Sequence, residues 1–190
     1  MRVQILGGAW KGRVLAVPKE AGLRPTSQKV RAALFNILGP RVQGARVLDL
    51  FAGTGALGLE AASRGAAAVT FVDRSAACTD AIRRTLTAFG PLPEVRTEVV
   101  TFDVFATVRR LAGQGQTFDL VLADPPYGGP WGRKLLQAVA AHVIIAPAGA
   151  MVLEGPTGVA PPPGLQQIRL ARYGDTTLAF YDQSGLSRHV

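Results

Sequence analysis

A glycine-rich turn between an apolar strand and a helix constrains this chain more than any other feature of the sequence. Residues 49–58 read Asp-Leu-Phe-Ala-Gly-Thr-Gly-Ala-Leu-Gly, so that Gly53, Gly55 and Gly58 satisfy the pattern G-x-G-x-x-G. Glycines at these positions let the chain turn tightly and let a cofactor approach the backbone. The turn therefore predicts an α/β fold with a ligand site where the first strand meets its helix.

The chain after residue 45 alternates short apolar strands with helices. The predicted strands cover residues 46–51, 68–73, 95–100, 118–123 and 150–154, and the predicted helices cover residues 56–64, 76–89, 102–112 and 132–143. This alternation predicts a mostly parallel sheet with helices on both faces. Two further runs, 167–172 and 176–182, are separated by three residues and predict an antiparallel hairpin at one edge, which gives seven strands.

Residues 1–44 are predicted to form a small basic extension on one compact unit, with residues 45–190 as the main domain. Two strand-like runs, 3–6 and 13–17, predict a hairpin, and a helix over 27–38 follows, capped by Thr26 or Ser27. The net charge of +8 arises in this part of the chain, because nine of the 21 Lys and Arg and only one acid, Glu20, fall within residues 1–46. This asymmetry favours a phosphate-binding surface, and a solvated basic face is the alternative.

Carboxylates near the glycine turn indicate which cofactor it binds. Asp73 lies 20 residues after Gly53 at the end of the second strand, where it can accept hydrogen bonds from ribose hydroxyls of NAD or S-adenosylmethionine. Asp49 favours S-adenosylmethionine, because a carboxylate suits a positively charged methionine end and suits a pyrophosphate poorly. Asp103 is placed to meet the adenine amino group, and a helix N-cap explains it equally well. The residues assigned to the cofactor are Asp49, Phe51, Ala52, Gly53, Thr54, Gly55, Asp73, Arg74, Asp103 and Val104.

A second motif, Asp-Pro-Pro-Tyr, follows the fourth predicted strand and predicts the reaction. Its residues are Asp124, Pro125, Pro126 and Tyr127. Two prolines make a stiff loop with free carbonyls, which can hold an exocyclic amine together with the Asp124 carboxylate. Asp124 can also receive the proton during transfer, and Tyr127 can stack on the base. The two motifs together predict methyl transfer to a base amine.

Other reaction classes find little support in the sequence. The single cysteine, Cys78, lies within a predicted helix and has no partner for nucleophilic catalysis, and the two histidines, His142 and His189, are isolated, so we expect no metal site. A nicotinamide oxidoreductase remains an alternative that cofactor binding would test. No signal peptide or membrane-spanning run is apparent, and we expect a cytoplasmic protein.

The chain resembles the RsmD family of bacterial small-subunit rRNA guanine-N2 methyltransferases over nearly its whole length. The resemblance rests on Gly-Gly-Ala-Trp-Lys-Gly-Arg at 7–13, Leu-Arg-Pro-Thr-Ser at 23–27, Leu-Phe-Asn at 34–36, the segments 49–61 and 63–65, and residues 124–127. It implies a class I (Rossmann-like) S-adenosylmethionine-dependent methyltransferase. The implied substrate is one guanine of 16S rRNA, modified on a partly assembled 30S particle by an enzyme that we expect to be a monomer.

The resemblance also suggests how the basic extension is used. We expect its cations to bind RNA phosphates; they are Lys11, Arg13, Arg24, Lys29 and Arg31. A DNA adenine-N6 methyltransferase, a protein glutamine methyltransferase and a non-catalytic RNA-binding or assembly factor are the alternatives. The ribosomal type of N-terminus disfavours the first, and Asp in place of Asn in the second motif disfavours the second.

Overall fold

The computed structural model describes residues 3–18, 27–155 and 159–183, and a seven-stranded sheet runs through this part of the chain. The helices are α1 (Gln28–Leu38), α2 (Ala56–Ser63), α3 (Ala76–Phe89), α4 (Val104–Gly113) and α5 (Trp131–Ala141), with a 3₁₀ turn at Gly39–Val42. The strands are β1 (Arg46–Leu50), β2 (Ala68–Asp73), β3 (Arg96–Thr101), β4 (Phe118–Ala123), β5 (Ile145–Gly155), β6 (Gln166–Tyr173) and β7 (Thr176–Asp182). None of these helices is long and apolar enough to cross a membrane.

The sheet has the order β3-β2-β1-β4-β5-β7-β6, in which β1 to β5 run parallel and β7 runs antiparallel to both β5 and β6. The predicted mostly parallel sheet with an antiparallel C-terminal hairpin is therefore confirmed. The fifth strand is longer than predicted, because Ile145 already pairs with Phe118 before the register shifts and pairing resumes at Ala150. The interruption contains Pro147 and Gly149. Because these residues break the apolar run, the sequence predicted only the second part of the strand.

Side-chain caps explain where three of the helices begin. Ser27, Ser75 and Asp103 each accept a hydrogen bond from a backbone N–H three residues later, at the start of α1, α3 and α4. Such caps satisfy one of the four unpaired donors at a helix N-terminus. The cap at Asp103 makes α4 begin at Val104, two residues later than predicted.

Alternate residues of the central strands face two separate apolar layers. On β1, Val47 packs on the side of α1, α2 and α3, whereas Leu48 and Leu50 pack on the side of α4 and α5. The near-continuous apolar strands follow from this double coverage. Asp49, also on β1, lies in the middle of this buried strand, and its carboxylate points to the α2 side, where it accepts from the Gly58 N–H.

The N-terminal segment folds back on itself and pairs the two runs, 3–6 and 13–17, that were predicted to form a hairpin. Ile5 N–H donates to the Arg13 carbonyl and Leu15 N–H donates to the Val3 carbonyl, each at 2.9 Å. A single antiparallel bridge joins Gln4 and Val14. Two other backbone donors bind the body of the protein: Leu6 N–H donates to Glu60, and Ala9 N–H donates to the Ser63 carbonyl. Gly8 is required at this contact, because a Cβ there would lie 1.7 Å from the Ser63 carbonyl oxygen. The Gly-Gly turn is thus a docking contact with α2.

The Glu60 carboxylate joins this segment to both neighbouring helices. It is fully buried, accepts from the Leu6 N–H at 2.8 Å and from Arg64 Nε at 2.7 Å, and lies 3.7 Å from Arg31 Nε. Arg31 is also fully buried and donates to the Gln4 carbonyl. Burial lowers the pKa of Arg31, and the Glu60 carboxylate opposes that shift by stabilising the cation.

Replacing Glu60 by Gln should destabilise the fold strongly, because it removes the main counter-charge of the buried Arg31 cation and leaves only the weaker attraction of Glu154. Breaking one partner of a buried ion pair costs about 3–5 kcal/mol. Urea unfolding followed by circular dichroism measures the loss. Asp119→Asn is the matched control, since the Arg46–Asp119 pair is 48% and 40% exposed and such pairs contribute about 1 kcal/mol or less. Equal effects of the two substitutions would contradict this role of Glu60.

Candidate active site

Three carboxylates meet where the central parallel strands end. Leu50 of β1 pairs with Val72 of β2 on one side and with Ala123 of β4 on the other. The residues that follow β1 therefore lie between Asp73 and Asp124, at the edge where open α/β sheets bind ligands. The sequence motifs predicted to form one site are brought together by this strand order.

Asp49 is a buried carboxylate held directly under the glycine turn. Its Oδ2 accepts the backbone N–H of Gly58 at 2.9 Å. Burial raises the pKa of Asp49 well above its usual range, and the Gly58 hydrogen bond opposes that shift. A Cβ at Gly58 would lie 2.9 Å from Asp49 Oδ2 and 2.3 Å from Phe71 Cε1, so the third glycine of the motif allows this close approach.

The negative charges of Asp124 and Asp73 raise the pKa of Asp49 further, which places both carboxylates within electrostatic range of Asp49. A ligand with positive charge on this side of the sheet would relieve their mutual repulsion. This group of carboxylates therefore fits the positively charged sulfonium and ammonium groups of S-adenosylmethionine.

Asp73 fixes the shape of the glycine turn. Its Oδ2 accepts from the Gly53 N–H and its Oδ1 accepts from the Ser75 N–H, each at 2.8 Å. A carboxylate has further lone pairs, so these bonds leave acceptor capacity for hydroxyl groups of a ligand. Phe51, at the start of the turn, has a φ of 57°, a left-handed conformation that is strained for an aromatic residue. Such strain is typical of functional sites.

The Asp-Pro-Pro-Tyr loop follows β4 directly. Tyr127 is 45% exposed, and its hydroxyl lies 3.2 Å from the hydroxyl of Thr176 at the start of β7. The loop is therefore held between the carboxyl end of β4 and the β6–β7 turn. An exposed aromatic ring next to a carboxylate can stack on a flat base while the carboxylate accepts from its amine.

An aromatic cluster lies beside the glycine turn, and two of its three members were not predicted from the sequence. The ring centroids of Phe51, Phe105 and Trp131 are 6.2–6.4 Å apart, and Phe105 and Trp131 are stacked at 21°. Arg74 and Lys134 each lie 5.9 Å from the Trp131 ring. Their positions in the sequence could have indicated that these two residues lie at the site: Phe105 follows the cap of α4, and Trp131 is the first residue of the helix after the Asp-Pro-Pro-Tyr loop.

Two further residues assigned to the cofactor occupy structural positions. Asp103 Oδ1 accepts from the Ala106 N–H at 2.8 Å, which is the N-cap arrangement that the sequence offered as the alternative explanation. The Val104 side chain is 3% exposed and packs in the apolar layer of α4 and α5. Val104 therefore presents only its backbone toward this edge of the sheet.

The predicted RNA-binding cations fall into different environments. Lys11 and Lys29 are exposed, and Arg24 lies outside the described residues. Arg13 donates to the carbonyls of Ala88 and Phe89 at the end of α3, and its guanidinium lies 4.3 Å from the Phe89 ring. Arg31 requires a correction: it is fully buried against Glu60 and cannot present its guanidinium to a phosphate in this structure. We reassign Arg31 to holding α1 and the N-terminal segment together.

A surface cavity of about 440 Å³ lies away from these carboxylates. It is bounded by Trp10, the end of α3 and the start of β3, and its lining has no charged side chain. We place no chemistry there. In the described part of the chain, no group of three or more His, Cys, Asp or Glu side chains is arranged to hold a metal ion.

The strand order and the position of the site define the class I methyltransferase fold. A solved structure of the Escherichia coli protein yhhF has a TM-score of 0.81 at 31% identity, covering 96% of this chain and 98% of that chain. The model of the family described as "Conserved hypothetical protein 95" matches residues 3–182. The chain belongs to this family, which is the RsmD family that the sequence resembles.

Two relatives define the extent of the similarity. Ribosomal RNA small subunit methyltransferase D of Escherichia coli strain K12 is 40% identical over 128 residues, which make up 66% of this chain and 61% of that protein. The chain thus spans less than two thirds of that relative. The Bacillus subtilis protein YlbH is 31% identical over 186 residues, covering 96% of this chain and 100% of that protein.

Replacing Asp49 by Asn should stabilise the ligand-free protein at neutral pH and weaken binding of S-adenosylmethionine. The raised pKa means that ionising Asp49 costs the folded state more than the unfolded chain, so the cost grows as pH rises toward the folded-state pKa. Thermal unfolding should show the gain at neutral pH and none below the ordinary pKa of aspartate, where both states are protonated.

Asp80→Asn, on the exposed face of α3, is the matched control for that experiment. It should change neither the pH profile nor the affinity for S-adenosylmethionine measured by calorimetry. An Asp49→Asn protein that is less stable at neutral pH, or that binds S-adenosylmethionine as tightly as the wild type, would contradict the assigned role.

Proposed function

We propose that this protein transfers the methyl group of S-adenosylmethionine to the exocyclic N2 of a guanine in 16S rRNA. The observation that carries the proposal is the juxtaposition of the glycine turn and the Asp-Pro-Pro-Tyr loop at the ends of the paired strands β1 and β4. One motif suits a cationic, ribose-containing cofactor and the other suits a planar base with an amine. Membership of the RsmD family supports the same reaction.

We propose that the cofactor lies along the glycine turn with its charged end toward Asp49. Asp73 would accept from the ribose hydroxyls, and its hydrogen bonds to the turn hold it in that orientation. Trp131 and Phe105 would hold the adenine by stacking, with Arg74 and Asp103 nearby. The cofactor, when bound, supplies a methyl group on a positively charged sulfur.

The guanine amine would be held by the Asp124 carboxylate and the Pro125 carbonyl. Its nitrogen is a weak nucleophile because its lone pair is delocalised into the ring. Two acceptors on its N–H groups favour a more tetrahedral nitrogen whose lone pair can be aimed at the methyl group, and Asp124 is placed to accept the released proton. Tyr127 would stack on the base, and Pro126 would keep the loop stiff.

We propose rRNA as the substrate because of the family and the exposed cations of the N-terminal segment. The name of the Escherichia coli relative, Ribosomal RNA small subunit methyltransferase D, supports a small-subunit RNA. Lys11 and Lys29 are exposed and available to phosphates. The guanidinium of Arg13 instead binds the carbonyl groups at the end of α3, where the helix carries partial negative charge. We further propose that a monomer acts in the cytoplasm on a partly assembled 30S particle.

Methyl transfer from radiolabelled S-adenosylmethionine to 30S particles, naked 16S rRNA and DNA tests this function. Nucleoside analysis should find the label in N2-methylguanosine, most strongly on particles that lack the modification. Label in N6-methyladenine of DNA would replace the proposal with a DNA methyltransferase. Cofactor binding without label in any substrate would favour a non-catalytic RNA-binding or assembly factor.

Asp124→Asn should lower kcat for methyl transfer by about 100-fold or more, because Asn neither accepts a proton nor carries the negative charge that stabilises the developing cation. Affinity for S-adenosylhomocysteine should be retained, because this product has no sulfonium charge for Asp124 to attract. Asp119→Asn, on the same strand and partly exposed, is the matched control. Near-normal turnover of Asp124→Asn would show that the carboxylate is not the proton acceptor.

Trp131→Ala should weaken S-adenosylhomocysteine binding by about three- to tenfold, the effect of losing one aromatic stacking partner. The chain has two tryptophans, and Trp10 is only 4% exposed. A change in fluorescence on binding of S-adenosylhomocysteine can therefore be assigned to Trp131 by comparing single substitutions. The fluorescence change should persist in Trp10→Phe and disappear in Trp131→Phe. Unchanged affinity in Trp131→Ala would place the adenine elsewhere.

A further inference from the structure

The outer strand β6 has a surface that the charge count along the sequence did not reveal. It is paired on one side only, with β7, and residues 166–170 are all exposed. Ile168, at 45%, and Leu170, at 51%, are exposed to solvent, and so are two arginines. Arg172 lies on the same face of the strand as Leu170, and Arg169 lies on the opposite face with Ala171 and Tyr173. The strand Gln166–Tyr173 contains no acidic residue. This mixture of guanidinium and apolar groups matches the phosphates and the bases or sugars of a single RNA strand.

The β6–β7 turn connects this strand to the proposed acceptor loop. Tyr173 pairs with Thr176 across the turn, and the Thr176 hydroxyl lies 3.2 Å from the Tyr127 hydroxyl. Arg172 precedes the turn by one residue, so it is the cation of β6 nearest to the loop. An RNA strand whose guanine stacks on Tyr127 would pass over this turn and reach Arg172.

Helix α1 packs on the same sheet as the hairpin. Val30 and Leu34 of α1 share one apolar layer with Leu178 and Phe180 of β7, and Tyr173 of β6 packs against that layer. The exposed Lys29 lies in the first turn of α1. Helix α1, which carries Lys29, and the side of β6 that carries Arg169 therefore lie on the same face of the sheet, which suits binding of a chain of phosphates.

We propose that the β6–β7 hairpin is a second RNA-contacting surface, in which Arg172 and Arg169 bind phosphates that flank the target guanine. This inference rests on the proposed function and names the part of the protein that holds the substrate beside the acceptor loop. The occupant is RNA rather than a protein strand, because β6 carries two guanidinium groups and no acid, and its turn contacts a loop suited to a nucleic-acid base; the exposed Asp175 is the one acid in that turn.

The test is binding of full-length 16S rRNA by Arg169→Gln/Arg172→Gln, measured by filter binding without cofactor at several salt concentrations. Affinity should fall severalfold, and the slope of log affinity against log salt should shrink by about 0.7–0.9 for each phosphate that the variant no longer binds. The KM for rRNA should rise with kcat little changed, and affinity for S-adenosylhomocysteine should not change. Leu170→Ser should weaken rRNA binding without changing the salt slope.

Arg109→Gln/Arg110→Gln is the matched control, since it removes the same charge from two exposed arginines of α4, a helix that packs against α5 and β2, several strands away from β6. Equal affinity and equal salt slope in the two double variants would overturn the inference. Normal binding of naked rRNA with weakened binding of 30S particles would also overturn it and make the hairpin a binding surface for a ribosomal protein. A wild-type protein that binds rRNA with the expected salt slope but transfers no methyl group would instead refute the proposed function and leave the RNA-contacting surface standing.

Discussion

The buried Glu60 carboxylate is the interaction on which the arrangement of the N-terminal half depends. It sits in α2, the helix that begins at the glycine turn, and it accepts the Leu6 N–H while facing Arg31 of α1 and Arg64 of its own helix. A buried pair of this kind adds little net stability compared with apolar residues of the same size. Removing one partner, however, leaves the other charge buried and unpaired, which destabilises the fold strongly. This contact therefore holds the extension and α1 against α2, although Arg31 Nε and Nη1 have no hydrogen-bond partner, and it fixes the exposed cations relative to the glycine turn.

The site itself concentrates features that reduce stability. Asp49 is a buried carboxylate with a raised pKa, Asp73 and Asp124 add negative charge nearby, and Phe51 has a left-handed backbone. None of these features helps the ligand-free fold, and each is explained if the site receives a cationic ligand that contacts the backbone closely. Apolar layers on both faces of the sheet supply the stability that offsets them.

The sequence predicted the fold well because its signals are local. The bounds of β2, β4, α3 and β7 are as predicted, since apolar runs, Ser75 as a cap and Gly90 as a stop act within a few residues. The failures involve partners distant along the chain. The N-terminal hairpin pairs as its own pattern predicts, but its contacts with Glu60 and Ser63, more than 50 residues away, were not predicted. The Trp131–Phe105 stack was missed for the same reason, because neither residue belongs to a motif that reveals the other.

Charge along the sequence is therefore a poor guide to charge on the surface, and the cations of this protein illustrate the difference. Of the extension's arginines, Arg31 is inside the core and Arg13 is bound to the end of α3, so the excess of positive charge overstates what RNA can reach. The balanced remainder of the chain places Arg169 and Arg172 on an exposed edge beside the acceptor loop. Electrostatic attraction of a phosphate chain depends on accessible charge within about 8–10 Å, not on where a cation falls in the sequence. The phosphate-binding surface that we propose is thus a property of the fold, with cations from α1 and from a hairpin that lies some 140 residues further along the chain.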